Sequence, residues 1–536
     1  MSTFALCLLL LIPYPTQPDW ESTDNDYSTG GALVDIDLDG SLDLVTGNGN
    51  DMAQQPNRVY YNTGSSLETT ASWISADIGY NAHISVADIN SDGYPDLAVA
   101  NYGDPGAPQY DKFYYNLSGI YQPTSAWQPA HLDNSFACAF GDFDGDGDAD
   151  LAVACGEEYT GSLQHAKVYL NNGGVLDTAA AWQTDIASYF YDVVWVDIDM
   201  DGDLDLALAG HHRKNLIYRN TGAVLESTPC WQSANSLGTL KIAFGDIDND
   251  GDLDMVCANN AQTGGISNCE LYLNNGSILD TVPAWTSPNL QYYSCVALGD
   301  VDRDGDLDLA AGGWWESVKV FENSSGILPQ TPSWQWSPPT SIYHLVCENI
   351  CFGDIDNTLP ASVTDEPHIV SPTQRVFYLE NRWLKNIVQI RSSSGVLGID
   401  QYCFSFIDGW VSVSDVFTQA ETLWVDYTYS EDLDLVVTNW YRYRGNFAFY
   451  NTQGAATQEI VRTGQAGNII FPNPSRGRFA LRLDANDLTV KLFDTNGRLV
   501  AEQKDNRVEI AVPGVYFMHV YDGRTLIAQE KVVVVQ

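Results

Sequence analysis

Apolar residues in this chain fall into short runs separated by polar, turn-rich stretches, and the runs recur in phase. Before the acidic turns lie runs such as Ile84-Ser85-Val86-Ala87 and Val193-Val194-Trp195-Val196, and after them LVT, LAVA or LALA. Runs this short and β-compatible predict strands and leave no room for an amphipathic helix on either flank. A further segment pairs an aromatic residue with a terminal Asn: Val59 to Asn62, Phe113 to Asn116, Val168 to Asn171, Ile217 to Asn220, Leu271 to Asn274 and Val320 to Asn323. A Trp then closes each unit, at Trp73, Trp127, Trp182, Trp231, Trp285 and Trp334, with Trp20 opening the series. A Trp locked to the repeat phase reads as packing between neighbouring repeats, which must bury their faces against each other.

Four strand-like segments in each unit of about 54 residues describe the blades of an all-β propeller. Six units are clear and two are degraded, the last ending at Phe449-Tyr450-Asn451. The expectation is eight blades, with seven as the alternative if the stretch from Asp354 to Trp424 is an insertion.

The acidic turns repeat DxDxDGxxDL or a near copy, starting at Asp35, Asp88, Asp142, Asp197, Asp246 and Asp300. Carboxylates at positions 1, 3, 5 and 9 converge only if the backbone curls tightly, and Gly at position 6 permits that curl. Hard oxygen donors crowded this way suit calcium, whereas magnesium wants a smaller octahedral shell and zinc prefers nitrogen and sulfur. A helical calcium module would need Glu at position 12 and helical flanks, and neither is present. The predicted metal ligands are Asp35, Asp37, Asp39 and Asp43; Asp88, Asn90, Asp92 and Asp96; Asp142, Asp144, Asp146 and Asp150; Asp197, Asp199, Asp201 and Asp205; Asp246, Asp248, Asp250 and Asp254; and Asp300, Asp302, Asp304 and Asp308, about six calcium sites in all. Position 7 offers its backbone carbonyl, so Ser41 and Tyr94 serve there. Two eroded copies, at Asp354 and Asp426, are expected to hold calcium poorly or not at all. The first lacks partners at positions 5 and 9; the second has Thr428 and Ser430 in place of carboxylates and Glu431 where Gly is needed.

Phe140-Gly141-Asp142, Phe244-Gly245-Asp246 and Phe352-Gly353-Asp354 carry an FGD step into the loop. With DxDxDGxxDL in phase, this stretch, roughly residues 20 to 460, resembles the FG-GAP or VCBS repeats of integrin-like propellers. The resemblance implies the propeller fold and calcium, and no particular reaction.

A formal net charge of −45 disfavours a compact state unless counter-ions neutralise the Asp clusters. From Gln465 onward nine Lys or Arg face eight Asp or Glu, so the acidic excess lies upstream and a different domain begins there. This segment has a Pro472-Asn473-Pro474 step, a hairpin signal at Asn496-Gly497 and a second turn at Asp522-Gly523, and reads as a small immunoglobulin-like β-sandwich. The Pro-Asn-Pro step, TNGRLV and GVYFMHVYDGRTLIAQEKVVV look like the C-terminal sorting domain of the type IX (Por) secretion system. That resemblance implies export across the outer membrane of a two-membrane bacterium, to a secreted or surface-attached state, with the type IX machinery as partner. Phe4 to Ile12 has the length of a signal-peptide core, although no Lys or Arg precedes it, and nothing else is long and apolar enough to span a bilayer. The expected organisation is therefore 1–17 signal-peptide-like, 18–460 propeller and 465–536 sorting domain. Outside Cys7, nine cysteines remain, an odd number that argues against a complete disulfide framework, with Cys257 and Cys269 as one candidate pair.

In an antiparallel blade, the loop following the next strand emerges at the end opposite the acidic loop. Gly49, Tyr102, Gly156, His211, Asn260, Trp314 and Trp440 occupy that place in their units. Tyr102, His211, Trp314, Trp315 and Trp440 are the candidate ligand-binding residues, for a glycan or protein ligand, or else they plug the channel. The eight His show no repeated relation to a nucleophile, and no HExxH, GxSxG or phosphate-cradling Gly loop is present. A binding or adhesion module, not an enzyme, is therefore expected, with a secreted polysaccharide lyase or hydrolase as the alternative. Nucleic acid is excluded as a partner by the negative upstream surface.

Overall fold

Seven inner strands, each running into an acidic loop, organise the larger part of the computed structural model: Ser28–Val34, Asn81–Ala87, Ser135–Gly141, Phe190–Val196, Leu237–Gly245, Tyr293–Gly299 and Cys347–Gly353. The structure describes residues 14–451 except 105–106, 263, 277, 289–291, 339–344, 415–416 and 442. Beyond 451 it describes the strands 478–480, 488–494, 499–503, 507–509, 514–522 and 525–534. The chain divides into two units, Met1–Thr452 and Gln453–Gln536.

Each inner strand pairs antiparallel with a second strand that starts on the last Asp of its loop, as Asp43–Asn48 does in the first blade and Asp308–Gly313 in the sixth. A third strand ending just before the repeated Asn, and in most blades a short outer strand starting on the Trp, complete the sheet. Each inner strand packs beside the next, and Cys347–Gly353 packs back on Ser28–Val34, so the ring closes.

Two side-chain rings confirm the cycle. The repeated Asn of each blade donates from Nδ2 to the position-2 carbonyl of the preceding blade's loop: Asn116 to Ile36, Asn171 to Ile89, Asn220 to Phe143, Asn274 to Ile198, Asn323 to Ile247, Asn451 to Val301 and Asn62 to Ile355, all at 2.8–2.9 Å. Each closing Trp packs edge-on against the aromatic in the next blade's third strand: Trp73 on Tyr114, Trp127 on Tyr169, Trp182 on Tyr218, Trp231 on Tyr272, Trp285 on Phe321, Trp334 on Phe449 and Trp20 on Tyr60. The tryptophans are thus packing elements between blades. Trp20 belongs to the last blade, where Trp20–Glu21 pairs with Phe447–Phe449 and ties the start of the propeller to its end.

Among the described residues the ring has seven blades, the alternative count, and no eighth. Its second and third strands, Asp434–Asn439 and Phe447–Phe449, belong to the sheet begun by Cys347–Gly353. The residues between form an insertion with two sheets of its own. Pro360–Val370, Glu421–Ser430, Leu384–Ser392 and Gly395–Val396 make one, and Val376–Tyr378, Trp410–Val413 and Tyr402–Phe404 the other. Its core includes Val370, Ile390, Val411, Val413, Leu423 and Val425. The insertion covers the acidic-loop end of the channel: Arg382 Nη1 donates to the Phe244 carbonyl (2.6 Å), Trp383 Nε1 to Leu298 (2.9 Å) and Arg375 Nη1 to Gly145 (2.8 Å).

In the second unit, the strands Leu499–Gln503, Leu488–Asp494, Gly514–Asp522 and Thr525–Val534 form an antiparallel sheet, and Arg478–Ala480 pairs with Arg507–Glu509. The Asn496-Gly497 turn, Gly523 and the Pro472-Asn473-Pro474 step lie outside the described residues, as do the signal-peptide-like core and the boundary at Gln465. No disulfide joins the described cysteines. Cys257 pairs across from Glu270 and Cys269 from Ala258, so their side chains leave opposite faces of the sheet and do not meet.

The Trp ring makes a direct stability prediction. Trp231→Ala is expected to cost about 3–5 kcal/mol and Asn274→Ala about 1–3 kcal/mol, read as lower thermal midpoints in millimolar calcium. Val282→Ser, at a site 64% exposed, should melt with the wild type; equal midpoints for all three variants would contradict the inter-blade rings.

Candidate functional site

Each acidic loop is curled by two residues in left-handed backbone. Gly at position 6 has φ of 91–98° in all six loops, and position 4 is also left-handed, with φ of 56–62° at Leu38, Ser91, Met200, Asn249 and Arg303. Those five side chains cost of order 1 kcal/mol each in that conformation. Hydrogen bonds inside the loop offset the cost. In the first loop the Asp39 and Gly40 N–H groups donate to Asp35 (3.0 and 2.9 Å), and the Ser41 N–H donates to Asp39 (2.8 Å). The same pattern recurs around Asp88, Asp142, Asp197, Asp246 and Asp300.

The position-9 Asp performs a second task. Asp43 accepts the Ile36 N–H on one oxygen (3.0 Å) and the Asn62 N–H on the other (2.7 Å), tying the loop to the third strand. Asp96, Asp150, Asp205, Asp254 and Asp308 do the same with Asn116, Asn171, Asn220, Asn274 and Asn323.

The loops bring the predicted carboxylates together. In the sets Asp35, Asp37, Asp39; Asp142, Asp144, Asp150; Asp197, Asp199, Asp205; and Asp246, Asp248, Asp250, one oxygen per residue lies within 4.8 Å of the others. Asp144, Asp199 and Asp248, at position 3, each keep a buried Oδ1 without a hydrogen-bond partner. Burial and mutual repulsion push several carboxyls far up: Asp35 to about 6, Asp142, Asp197 and Asp254 to about 7, and Asp43, Asp96, Asp205 and Asp308 to about 8. Crowded carboxylates with buried, unpartnered oxygens and no zinc-type ligand fit a hard divalent cation.

At the opposite mouth lies a cavity of about 180 Å³. Its walls include the five expected residues Tyr102, His211, Trp314, Trp315 and Trp440, joined by Asn260. Tyr102 and His211 are buried in the channel wall, whereas the three tryptophans are partly exposed. The rim carries Tyr159 and Met52, 57% and 55% exposed. Sequence reasoning missed the acids here: Asp51, Glu158 and Glu348 also line the cavity. Glu348 sits second in the seventh inner strand, where only the ring closure reveals that it points to the mouth; burial pushes its carboxyl well up, the Trp314 indole opposes this, and Asp51 adds to it.

Four segments, 35–99, 88–153, 197–257 and 246–311, match the FG-GAP-like repeat, and 469–535 match the secretion system C-terminal sorting domain. The chain carries FG-GAP-like repeats and a type IX sorting domain. That domain directs type IX secretion, to the cell surface or extracellular space, and no helix among the described residues is long and apolar enough to cross a membrane. No curated protein matches the chain. Similar solved structures include BBS1N in complex with ARL6DN, soaked with mercury (12% identity, TM-score 0.41, covering 77% of this chain and 96% of that one), and the same complex soaked with lead (12%, 0.40, 64% and 90%). The computationally designed Ika8 protein is another (9%, 0.36, 76% and 99%).

The seventh blade holds a split acidic loop. Asp354, Asp356 and Asn357 supply its first half, with Asn357 at φ 53° and the Thr358 N–H on Asp354 and Asp356 as in an intact repeat. Position 9 is Asp434, which accepts the Ile355 and Asn451 N–H groups at 2.8 and 2.7 Å. The two eroded copies are therefore halves of one loop, and the missing ninth ligand of Asp354 lies eighty residues on. Asp426 lies on an insertion strand and faces Gln389 and Arg391. In the split loop the buried Lys385 ammonium contacts Asp354 (3.2 Å) and Asn357 (2.9 Å), and Arg303 contacts Asp432 (2.6 Å). In the fourth loop Arg219 Nε also reaches a predicted ligand, Asp199 at position 3 (2.8 Å), from a partly exposed side chain, whereas Lys385 is buried against position 1 of the seventh.

The pKa shifts fix a pH dependence. Without a divalent ion the folded loops bind protons up to about pH 6–8, while in the unfolded chain Asp loses its proton near pH 4, so stability is lost as pH rises through that window. In chelator the melting temperature should fall from pH 5 to pH 8, and in millimolar calcium that fall should vanish; parallel curves in the two buffers would contradict the assignment. A calcium titration should saturate at about six ions, because Lys385 fills the seventh loop.

Proposed function

We propose that this protein is a secreted, calcium-pinned propeller that binds carbohydrate at the aromatic mouth opposite its metal loops. The six intact loops would hold calcium through their position-1, 3, 5 and 9 side chains, fixing the ring while taking no part in recognition. The carrying observation is the recess itself. Trp314, Trp315, Trp440 and Tyr159 wall a cavity of about 180 Å³ that Asn260 also lines, and Asn260 Nδ2 and the Trp440 indole N–H have no hydrogen-bond partner. Aromatic faces with a few unsatisfied donors suit a sugar ring, which offers C–H faces and hydroxyl acceptors, and a recess favours a chain end over a flat protein epitope. Type IX export to the outer face of a two-membrane bacterium would put that mouth in contact with extracellular glycans.

A second reading, a secreted polysaccharide-active enzyme, is favoured by one feature. Glu348, its carboxyl held up by burial, shares the recess with Asp51, and such a pair can divide acid and base roles.

On a glycan array in calcium, Trp314→Ala and Trp440→Ala are expected to weaken binding to any hit at least about tenfold, near 1.4 kcal/mol, while leaving the melting temperature within a few degrees. Unchanged binding in both variants would sink the mouth assignment. New reducing ends or unsaturated products from the bound glycan would favour the enzyme.

A further inference from the structure

The channel mouth also holds a cluster of a different chemistry from the acidic loops. Glu158 comes from the loop after the third blade's second strand, and His211 and His212 end the second strand of the fourth blade, Asp205–Arg213. Successive residues of a strand point to opposite faces, so two adjacent His would normally diverge. Here a register shift between His211 and Arg213, opposite Gly238 and Leu237, combines with φ of +50° at His212 to bring the two rings to 4.4 Å between centroids. Bulges of this kind re-aim side chains beside functional sites.

His211 is held firmly. Its ring stacks on Tyr191 at 4.4 Å and 4°, and Tyr191 stacks on Phe136 at 4.5 Å. Gly238 leaves room for it, since a Cβ there would lie 3.1 Å from the ring. Glu158 Oε2 lies 2.8 Å from His211 Nε2 and Glu158 Oε1 3.9 Å from His212 Nε2. One ligand atom from each of the three residues falls within 4.8 Å of the others.

We propose that Glu158, His211 and His212 form a site for a borderline divalent cation of the zinc class, bridging the third and fourth blades at the mouth opposite the acidic loops. Two imidazoles and one carboxylate suit that class, whereas calcium calls for six to eight oxygens. Three protein ligands leave a fourth position open. Asn260, 1% exposed and with its Nδ2 unpartnered, lines the same cavity as Glu158 and His211.

The test uses the full chain in millimolar calcium, so that the oxygen loops are satisfied, with cobalt(II) as the optical probe and zinc as competitor. Intense visible bands of four- or five-coordinate cobalt should appear at micromolar metal and bleach on adding zinc. His212→Ala and Glu158→Gln should each weaken cobalt binding at least about tenfold while keeping the wild-type melting temperature in calcium. His211→Ala, which also removes a stacked ring, is the less clean variant. The faint spectrum of hexaaqua cobalt alone, or bands that persist unaltered in both His212→Ala and Glu158→Gln, would overturn the proposal and leave His211 and Glu158 as a simple hydrogen-bonded pair.

Discussion

One buried carboxylate per blade, at the ninth position of the acidic loop, holds the propeller together. Asp43 shows the logic: one oxygen receives the N–H of Ile36 at the end of the inner strand, the other that of Asn62 at the end of the third, and Asp43 itself begins the second. Asn62 then reaches with its side chain to the carbonyl of Ile355 in the neighbouring blade. A single charge thus couples three strands and, through one amide, two blades. Burying it beside up to three further carboxylates is unfavourable unless protons or a cation neutralise the group. The acidic composition is the visible trace of that requirement.

This arrangement separates support from recognition. At one end the loops are crowded with acid, and the insertion caps the channel by accepting the Asp197 backbone N–H on Tyr378 and donating to the carboxylates of Asp142 and Asp203. At the other end the loops have no such duty and carry Trp, Tyr and His. Because rigid inner strands connect the two ends, side chains there can hold a geometry they could not hold on a free loop, as the left-handed His212 and Trp315 show.

Much of this was legible in the sequence because each repeated residue has a repeated partner. The Trp of one unit and the third-strand aromatic of the next kept phase because they touch, and the Asn kept phase because it bridges blades. The residues six places past the last loop Asp were traceable to one mouth from strand alternation alone. The count failed at the insertion. Asp432-Leu433-Asp434-Leu435 has the local look of a loop with a decayed first half, while its true first half, Asp354 to Asn357, lies far upstream and looks decayed for want of a second. Only the hydrogen bonds of Asp434 to Ile355 and Asn451 join them. Lys385 was invisible as a cation substitute for the same reason, and Glu158 and Glu348 stayed hidden because nothing in their local sequence distinguishes a mouth-facing acid from an ordinary one.

Anomalous diffraction from crystals grown in calcium, collected at long wavelength, would locate the ions themselves. One calcium peak is expected among the carboxylates of each of the six intact loops and none beside Lys385. Six loops without anomalous density, with their Asp side chains paired instead to protein cations or water, would contradict that expectation.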